Sequence, residues 1–331
     1  MERFALAAAV VLGFALTAAL CSLFVPLRRV LERREQQQQP VQSEQPRPAP
    51  LRAPLWGGLC AAAGTVAAVG VGWLAACVGQ PELLGSEGRL MTRLLTALAG
   101  SLAFGAVGFA EDLARMRSPA ALGLRRDVRL LLEALAAAFV LLLLRAAGCL
   151  PRGLGVPGAG YVLLGSAVPF LWAVLMVALA ECARIAERDE GAVCGAAFVA
   201  MLALMMVEAG LGVSGLAVLP AALAGALVAL LLWAFPPARL GAGCCGSLLA
   251  AGAIGCIPLS LDMTSLTVPL ALPFWAAGGL FAAQLLCAKR TGKPLRCWVK
   301  KHKMSPETVF LCSFALSAVG YVLALALLRW C

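Results

Sequence analysis

Charged side chains are few: Asp, Glu, Lys and Arg make up 13% of the residues against 62% hydrophobic, and the mean hydropathy is +0.90. That is too little charge to wet the surface of a soluble domain, which leaves an integral membrane protein. Histidine is scarcer still, with the single copy His302 set between Lys301 and Lys303 and no carboxylate beside it in sequence. A single histidine among lysines is weak evidence for acid–base work. No A-x-A-like cleavage end closes the first apolar run, Phe4 to Leu27, so it reads as a retained span and not as a removable signal. Nor is any polar stretch long enough to fold separately, so residues 1–331 are expected to form one transmembrane domain.

Apolar runs dominate what is present. At roughly 20 residues per crossing, ten spans are expected, near 4–27, 55–78, 91–110, 129–147, 161–180, 192–209, 213–234, 246–261, 265–287 and 308–329. The eighth is short and rich in Gly and Ala, the composition of a broken helix or of close packing against neighbours. Losing it would give nine spans and move the C-terminus to the other side. Most of the 13 cysteines, among them Cys21, Cys60, Cys77, Cys194, Cys256, Cys287 and Cys312, lie inside apolar runs. They read as small hydrophobes packed between helices and not as disulfides.

The net charge of +10 matters less than where it lies. With ten spans, Arg28, Arg29, Arg33, Arg34, Arg47 and Arg52 share a face with the arginines of 115–129, Arg184, Arg188, Arg239 and the basic residues of "KRTGKPLRCWVKKHK". Only Arg3, Arg89, Arg93, Arg145, Arg152 and Arg329 fall to the other. The positive-inside rule makes the rich face cytoplasmic and puts both termini outside. Two cytoplasmic loops stand out. Residues 28–54, with the Pro- and Gln-rich "LERREQQQQPVQSEQPRPAP", read as flexible, and residues 288–307 are basic, suited to phosphate or anionic lipid and equally to anchoring the topology alone.

Most of the 17 acidic residues share that cytoplasmic face, although orientation requires only Lys and Arg. In "GFAEDLARMR" (108–117), Glu111 and Asp112 close the third span. In "ECARIAERDEG" (181–191), Glu187 and Glu190 are three apart and share a face if the segment continues as a helix. Two such clusters could hold Mg²⁺ and, through it, a diphosphate; they could equally answer the neighbouring arginines and water. In "LGLRRDVRLLLEALAA" (122–137), Arg129 and Glu133 are placed for an i,i+4 pair, with phosphate binding by Arg129 as the alternative.

In order and spacing these pieces resemble the phospho-N-acetylmuramoyl-pentapeptide translocases, bacterial members of the polyprenyl-phosphate N-acetylaminosugar-1-phosphate transferase family. "RAPLWGG" (52–58) resembles the family's Gly-Thr-Pro-Thr-Met-Gly-Gly, and "GFAEDLARMR" its Gly-Phe-x-Asp-Asp segment. "ECARIAERDEG" falls on an Asp-Gly-x-Asp-Gly segment, and "AFPPARLGAGCCGSLLAAG" (234–252) on Asn-x-x-Pro-Ala followed by Met-Gly-Asp-Thr-Gly-Ser. "TGKPLRCWVKKHKMSPE" (291–307) falls on a Thr-Gly-Lys segment that ends in three histidines. The resemblance implies ten spans in the bacterial plasma membrane, Mg²⁺ as cofactor, and transfer of phospho-MurNAc-pentapeptide from a UDP-linked precursor to undecaprenyl phosphate with release of UMP. Its implied partners are a polyprenyl phosphate lipid and a UDP-linked aminosugar, with a homodimer open and no nucleic acid. It implies catalytic roles for Glu111, Asp112, Glu187, Glu190 and His302, metal contacts from Asp112, Glu187 and Glu190, and cofactor binding by Arg129, Ser247 and Lys293.

Several departures bear on activity. Glu111, Glu187 and Glu190 stand on Asp positions and move each charge outward by about one methylene, a drift that matters for the tight octahedral geometry of Mg²⁺. Cys244 stands on the Asp of Met-Gly-Asp, and a thiol is a poor Mg²⁺ ligand. Ala234 stands on an Asn, Arg129 on a Lys, Glu133 on a Gln, and Lys303 and Met304 on two of the three histidines. The chain is expected to be a divergent member, catalytically impaired or regulatory in lipid-linked cell-wall precursor synthesis. An active phosphosugar transferase is the alternative, and a transporter or lipid-binding protein the third.

Overall fold

The computed structural model describes residues 2–38, 56–79, 88–117, 123–151, 153–156, 160–163, 165, 167–187, 191–213, 215–235, 239–291 and 306–330. The helices in chain order are α1 (Glu2–Gln38), α2 (Gly57–Gly79), α3 (Gly88–Arg117), α4 (Arg126–Ala146), α5 (Ala167–Ala186), α6 (Ala192–Gly210), α7 (Val218–Ala234), α8 (Gly243–Ser260), the short α9 (Thr267–Leu270), α10 (Leu272–Thr291) and α11 (Pro306–Trp330). Between α4 and α5 an antiparallel hairpin pairs β1 (Gly153–Val156) with β2 (Gly160–Leu163). Among the described residues seven helices are long and apolar enough to cross a membrane, or eight if a bent pair is one span. Large apolar side chains such as Phe4, Leu74, Leu142, Phe170, Leu232 and Leu311 are exposed on different helices. A water-soluble surface would not carry them, whereas a lipid-facing one does. The chain is an all-α polytopic membrane protein.

Helix α8 is the axis of the bundle. Every residue from Gly243 to Ser260 is buried, and its run of Gly, Ala, Cys and Ser lets neighbouring backbones come close on all sides. Helices α2, α3, α5 and α6 all pack on it, α3 most extensively. Helix α1 contributes a stripe at four-residue spacing, Ala5, Ala9, Thr17 and Cys21, buried against α2 and α7. Residues four apart lie on one helical face, and small side chains along that face allow near contact of backbones.

Several elements differ from the sequence expectation, each for a local reason. The eighth span is an unbroken helix packed closely by its neighbours, the second of the two outcomes its composition allowed, and the break falls in the ninth. There a 3₁₀ turn (Thr264–Leu266) and α9 are bent by 64° from α10, with Pro269 and Pro273 on either side of the corner. Proline removes a backbone donor and clashes with the preceding turn, which accounts for the kink. The fifth span begins at Ala167 and not near 161, because Gly160–Leu163 is paired as β2. Helix α1 continues to Gln38, into the segment expected as a loop from residue 28. Leu-Glu-Arg-Arg-Glu-Gln is a run of good helix formers, and Pro40 stands just beyond it. Residues 39–55 and 292–305 lie outside the described residues.

At one end of the bundle the C-terminus of α3 meets the N-terminus of α8, and Gly108 makes that contact possible. A Cβ at Gly108 would overlap the backbone carbonyl of Cys244 and lie 2.8 Å from the Cα of Cys245. Gly58, at the start of α2, is in the same position, since a Cβ there would meet the Gly246 nitrogen and the Ala242 carbonyl oxygen. Trp56, just before α2, stacks on Phe24 of α1 at 5.7 Å and meets Phe109 of α3 edge-on at 6.4 Å, fastening three helices at this end. Replacing Gly108 by Val is expected to push α3 off α8, with a destabilisation of about 1–3 kcal/mol or more from overpacking. Thermal unfolding in detergent checks it, with Gly70→Ala, where a Cβ meets open space, as the neutral control.

Candidate functional site

A helix buried at its N-terminus leaves up to four backbone N–H groups without partners, and these need an acceptor. Helix α8 has Ala242 at its N-cap position, and no side chain of its own loop caps it. Asp112, near the end of α3, supplies the acceptor. The Cys244 N–H donates to Asp112 Oδ1 at 3.1 Å and the Cys245 N–H donates to Asp112 Oδ2 at 2.9 Å. Asp112 is 1% exposed, so both bonds form away from water and the carboxylate also meets the positive end of the α8 dipole.

Around this cap lies a network of three arginines. The Arg115 guanidinium, one turn after the acidic pair, is placed among three carboxylates. Its Nη2 donates to Glu111 Oε1 at 3.3 Å, and its Nη1 lies 3.5 Å from Glu187 Oε2 and 3.8 Å from Asp112 Oδ1. Glu111 is buried and fully engaged: its Oε2 accepts from the Leu124 N–H at 3.2 Å, and Arg129 Nη1 is 3.7 Å from its Oε1. Arg129 in turn donates through Nε to Glu181 Oε1 at 2.7 Å, and Arg184 Nη2 donates to Glu181 Oε2 at 2.6 Å. Segments from α3, α4, α5 and α8 are thus joined by charge-assisted bonds. Taking such groups out of water is costly, and their geometry has to return that cost.

The residues expected at the site are not all gathered here. Glu111, Asp112 and Glu187 converge on Arg115, and Arg129 joins them through Glu111. Ser247 is buried in α8, where its hydroxyl donates to the Gly243 carbonyl of its own helix at 2.9 Å. Glu190, Lys293 and His302 lie outside the described residues. Arg129 does not pair with Glu133; a long-range partner, Glu181, takes its guanidinium. Glu133 is completely buried, and neither of its oxygens has a hydrogen-bond partner. Arg115, Glu181 and Arg184 join the network without being among the expected site residues, although Glu181 belongs to the second acidic cluster and Glu181 and Arg184 stand on Asn positions of the resemblance. Arg115 had a readable signal, since it follows Glu111 by four positions and Asp112 by three.

Mg²⁺ takes about six oxygen ligands in near-octahedral array and gives up its water reluctantly. Among the described residues no group of three Asp, Glu, His or Cys side chains is arranged to hold a metal ion. Asp112 spends both oxygens on backbone N–H groups, Glu111 accepts from Arg115 and Leu124, and a guanidinium lies between the carboxylates where a cation would have to sit. As arranged, these residues do not fit a magnesium ion.

The matched region in known proteins covers this whole arrangement. The family model for glycosyl transferase family 4 matches residues 94–262, from the first turns of α3 to the end of α8, about half of the chain. The chain belongs to glycosyl transferase family 4. It is 26% identical over 289 residues to the phospho-N-acetylmuramoyl-pentapeptide-transferase of Geobacillus kaustophilus (strain HTA426), covering 86% of this chain and 82% of that protein. It is also 32% identical over 170 residues to the protein of the same name from Desulforudis audaxviator (strain MP104C), covering 48% of this chain and 50% of that one. This family-4 chain is a multi-pass protein of the plasma membrane.

The Asp112 cap has a measurable consequence in this family-4 chain. Asp112→Asn keeps one acceptor oxygen but turns an NH₂ toward the second α8 amide, which loses its partner. The expected cost is about 1–3 kcal/mol for a buried donor left unsatisfied, seen as a lower melting temperature in detergent. A carboxylate that served a ligand alone would leave stability unchanged when replaced by its amide.

Proposed function

We propose that this chain is a family-4 membrane protein of lipid-linked cell-wall precursor synthesis that binds polyprenyl phosphate or a UDP-linked aminosugar without ordinary turnover, in an impaired or regulatory role. The observation that carries this reading is the commitment of Asp112: both oxygens cap α8 through the amides of Cys244 and Cys245. Cys244, the first of those donors, is itself fully buried and brings a thiol where the resemblance places a carboxylate. Phosphoryl transfer relies on positioned charge, and each such group typically supplies a factor of about 10² or more in the transition state. Losing several at one site compounds.

Binding is the function these residues still favour. Arg117, Arg125 and Arg126 are exposed at the same end of the bundle as the carboxylate network, which suits an anionic phosphate head at a membrane surface. The competing reading is a working transferase, favoured by the convergence of Glu111, Asp112 and Glu187 on one guanidinium. Purified protein given Mg²⁺, undecaprenyl phosphate and either UDP-MurNAc-pentapeptide or UDP-GlcNAc separates the two. No UMP release, together with saturable binding of the lipid or nucleotide, is expected. UMP release that requires the lipid acceptor and is lost in an identically purified Glu187→Gln variant would overturn the proposal.

We further infer ten passes with both termini outside and the network on the cytoplasmic side. The basic partition of the loops supports this, as does the meeting at one end of the α3 and α5 C-termini with the α4 and α8 N-termini. Single cysteines introduced near residues 40 and 295 are expected to react only with membrane-permeant maleimides in intact cells. Labelling of either one by an impermeant reagent would refute the orientation.

A further inference from the structure

The misfit between the carboxylates and a magnesium ion has several contributions, and one of them is a single side chain placed between all three carboxylates. We propose that the guanidinium of Arg115 is the resident cation of the Glu111–Asp112–Glu187 cluster, holding the place of a divalent ion, so that the cluster acquires a divalent-cation site only when Arg115 is removed. This deepens the reading of the network as a structural one, and it is tested by occupancy and not by turnover.

Three observations support it. First, the cation is central: Nη1 faces both Glu187 at 3.5 Å and Asp112 at 3.8 Å, while Nη2 faces Glu111 at 3.3 Å. Two segments far apart in sequence, the end of α3 and the turn after α5, supply these carboxylates, so the guanidinium does what a bridging ion does. Second, the cation is tethered. Arg115 rises from the same helix as Glu111 and Asp112, at i+4 and i+3, and its side chain is only 22% exposed. A soluble ion would have to displace a charge that cannot diffuse away and, unlike lysine or histidine, does not deprotonate. Third, the remaining partners do not use up the carboxylates: the Leu124 N–H and Arg129 on Glu111 and the α8 amides on Asp112 leave lone pairs on each carboxylate, and it is Arg115 that faces them.

Charge points the same way. Four ion-paired carboxylates, Glu111, Asp112, Glu181 and Glu187, meet the three guanidinia of Arg115, Arg129 and Arg184, and the α8 N-terminus adds about half a positive charge. The set is close to neutral as it stands, leaving little attraction for a dication. Removing Arg115 strips the one cation shared by Glu111, Asp112 and Glu187, and restores the field that draws a metal in.

The test uses full-length protein in detergent, with Mn²⁺ as an EPR-visible probe and the melting temperature read in Mg²⁺ and in EDTA. The wild type is expected to leave the free Mn²⁺ signal undiminished and to melt at the same temperature in both. Arg115→Met is expected to bind Mn²⁺ at least about tenfold more tightly than the wild type, to melt higher in Mg²⁺ than in EDTA, and to lose both effects when Glu187→Gln is added. Arg115→Lys, which keeps a tethered cation, is expected to remain free of Mn²⁺. A stoichiometric Mn²⁺ site in the wild type, or a folded Arg115→Met that binds none, would overturn the proposal. If Arg115→Met does not fold in EDTA, recovery of folded protein by Mg²⁺ supports it, and failure of any divalent ion to recover it counts against it. UMP release by the wild type would leave this result standing while removing the reading of impaired turnover.

Discussion

The bond on which this end of the bundle depends is the one between the Asp112 carboxylate and the first amides of α8. A central helix with no exposed residue needs its N-terminal donors satisfied by something equally buried, and its own preceding residue, Ala242, has nothing to offer. Asp112 answers from a different helix because Gly108, one turn earlier on α3, lets the two backbones touch. The close approach and the cap are therefore one feature: the glycine sets the distance and the carboxylate uses it. Arg115 and Arg129 then act on what this contact assembles, linking the end of α3 to α4 and α5.

That sequence of dependence explains why a family-4 architecture tolerates so many altered positions at this end. The helices that frame the site are held by small-residue packing along α8 and by the α1 stripe on α7, interactions made in the apolar interior and indifferent to the chemistry at the mouth. Polar groups at the mouth can be exchanged as long as each buried charge keeps a partner. Glu133 is the exception, a fully buried carboxylate that ends with no hydrogen bond, and it stands on a position where the resemblance places a neutral amide.

Much of the helical framework was legible in the sequence because a membrane span announces itself by length and hydropathy alone. The misplacements arose where local chemistry overrode that signal: two prolines that bend the ninth segment, a Gly-rich stretch that pairs as a hairpin, and a run of straight-chain residues that carries α1 past its apolar part. At the site, the acidic pair and the later glutamates could be read as clusters, and Arg115 could have been found from its three- and four-residue spacing. The partners across the fold could not. Asp112 and Cys244 are 132 positions apart, and nothing in either segment announces the other. Arg129 had an attractive local partner in Glu133 and took Glu181 instead, because an ion pair 52 residues distant closed with shorter geometry.

The long separation between Asp112 and α8 also sets an order of events during synthesis. At roughly 5–20 residues per second, the ribosome needs on the order of ten seconds to make the chain that joins α3 to the amides it will cap. Through that interval two adjacent carboxylates sit at the end of an inserted segment with no helix terminus to receive them. The only basic side chain within a turn of both is Arg115, already made and already on the same face. Its local ion pairs offset part of that charge while the chain that will supply the central helix is still being made.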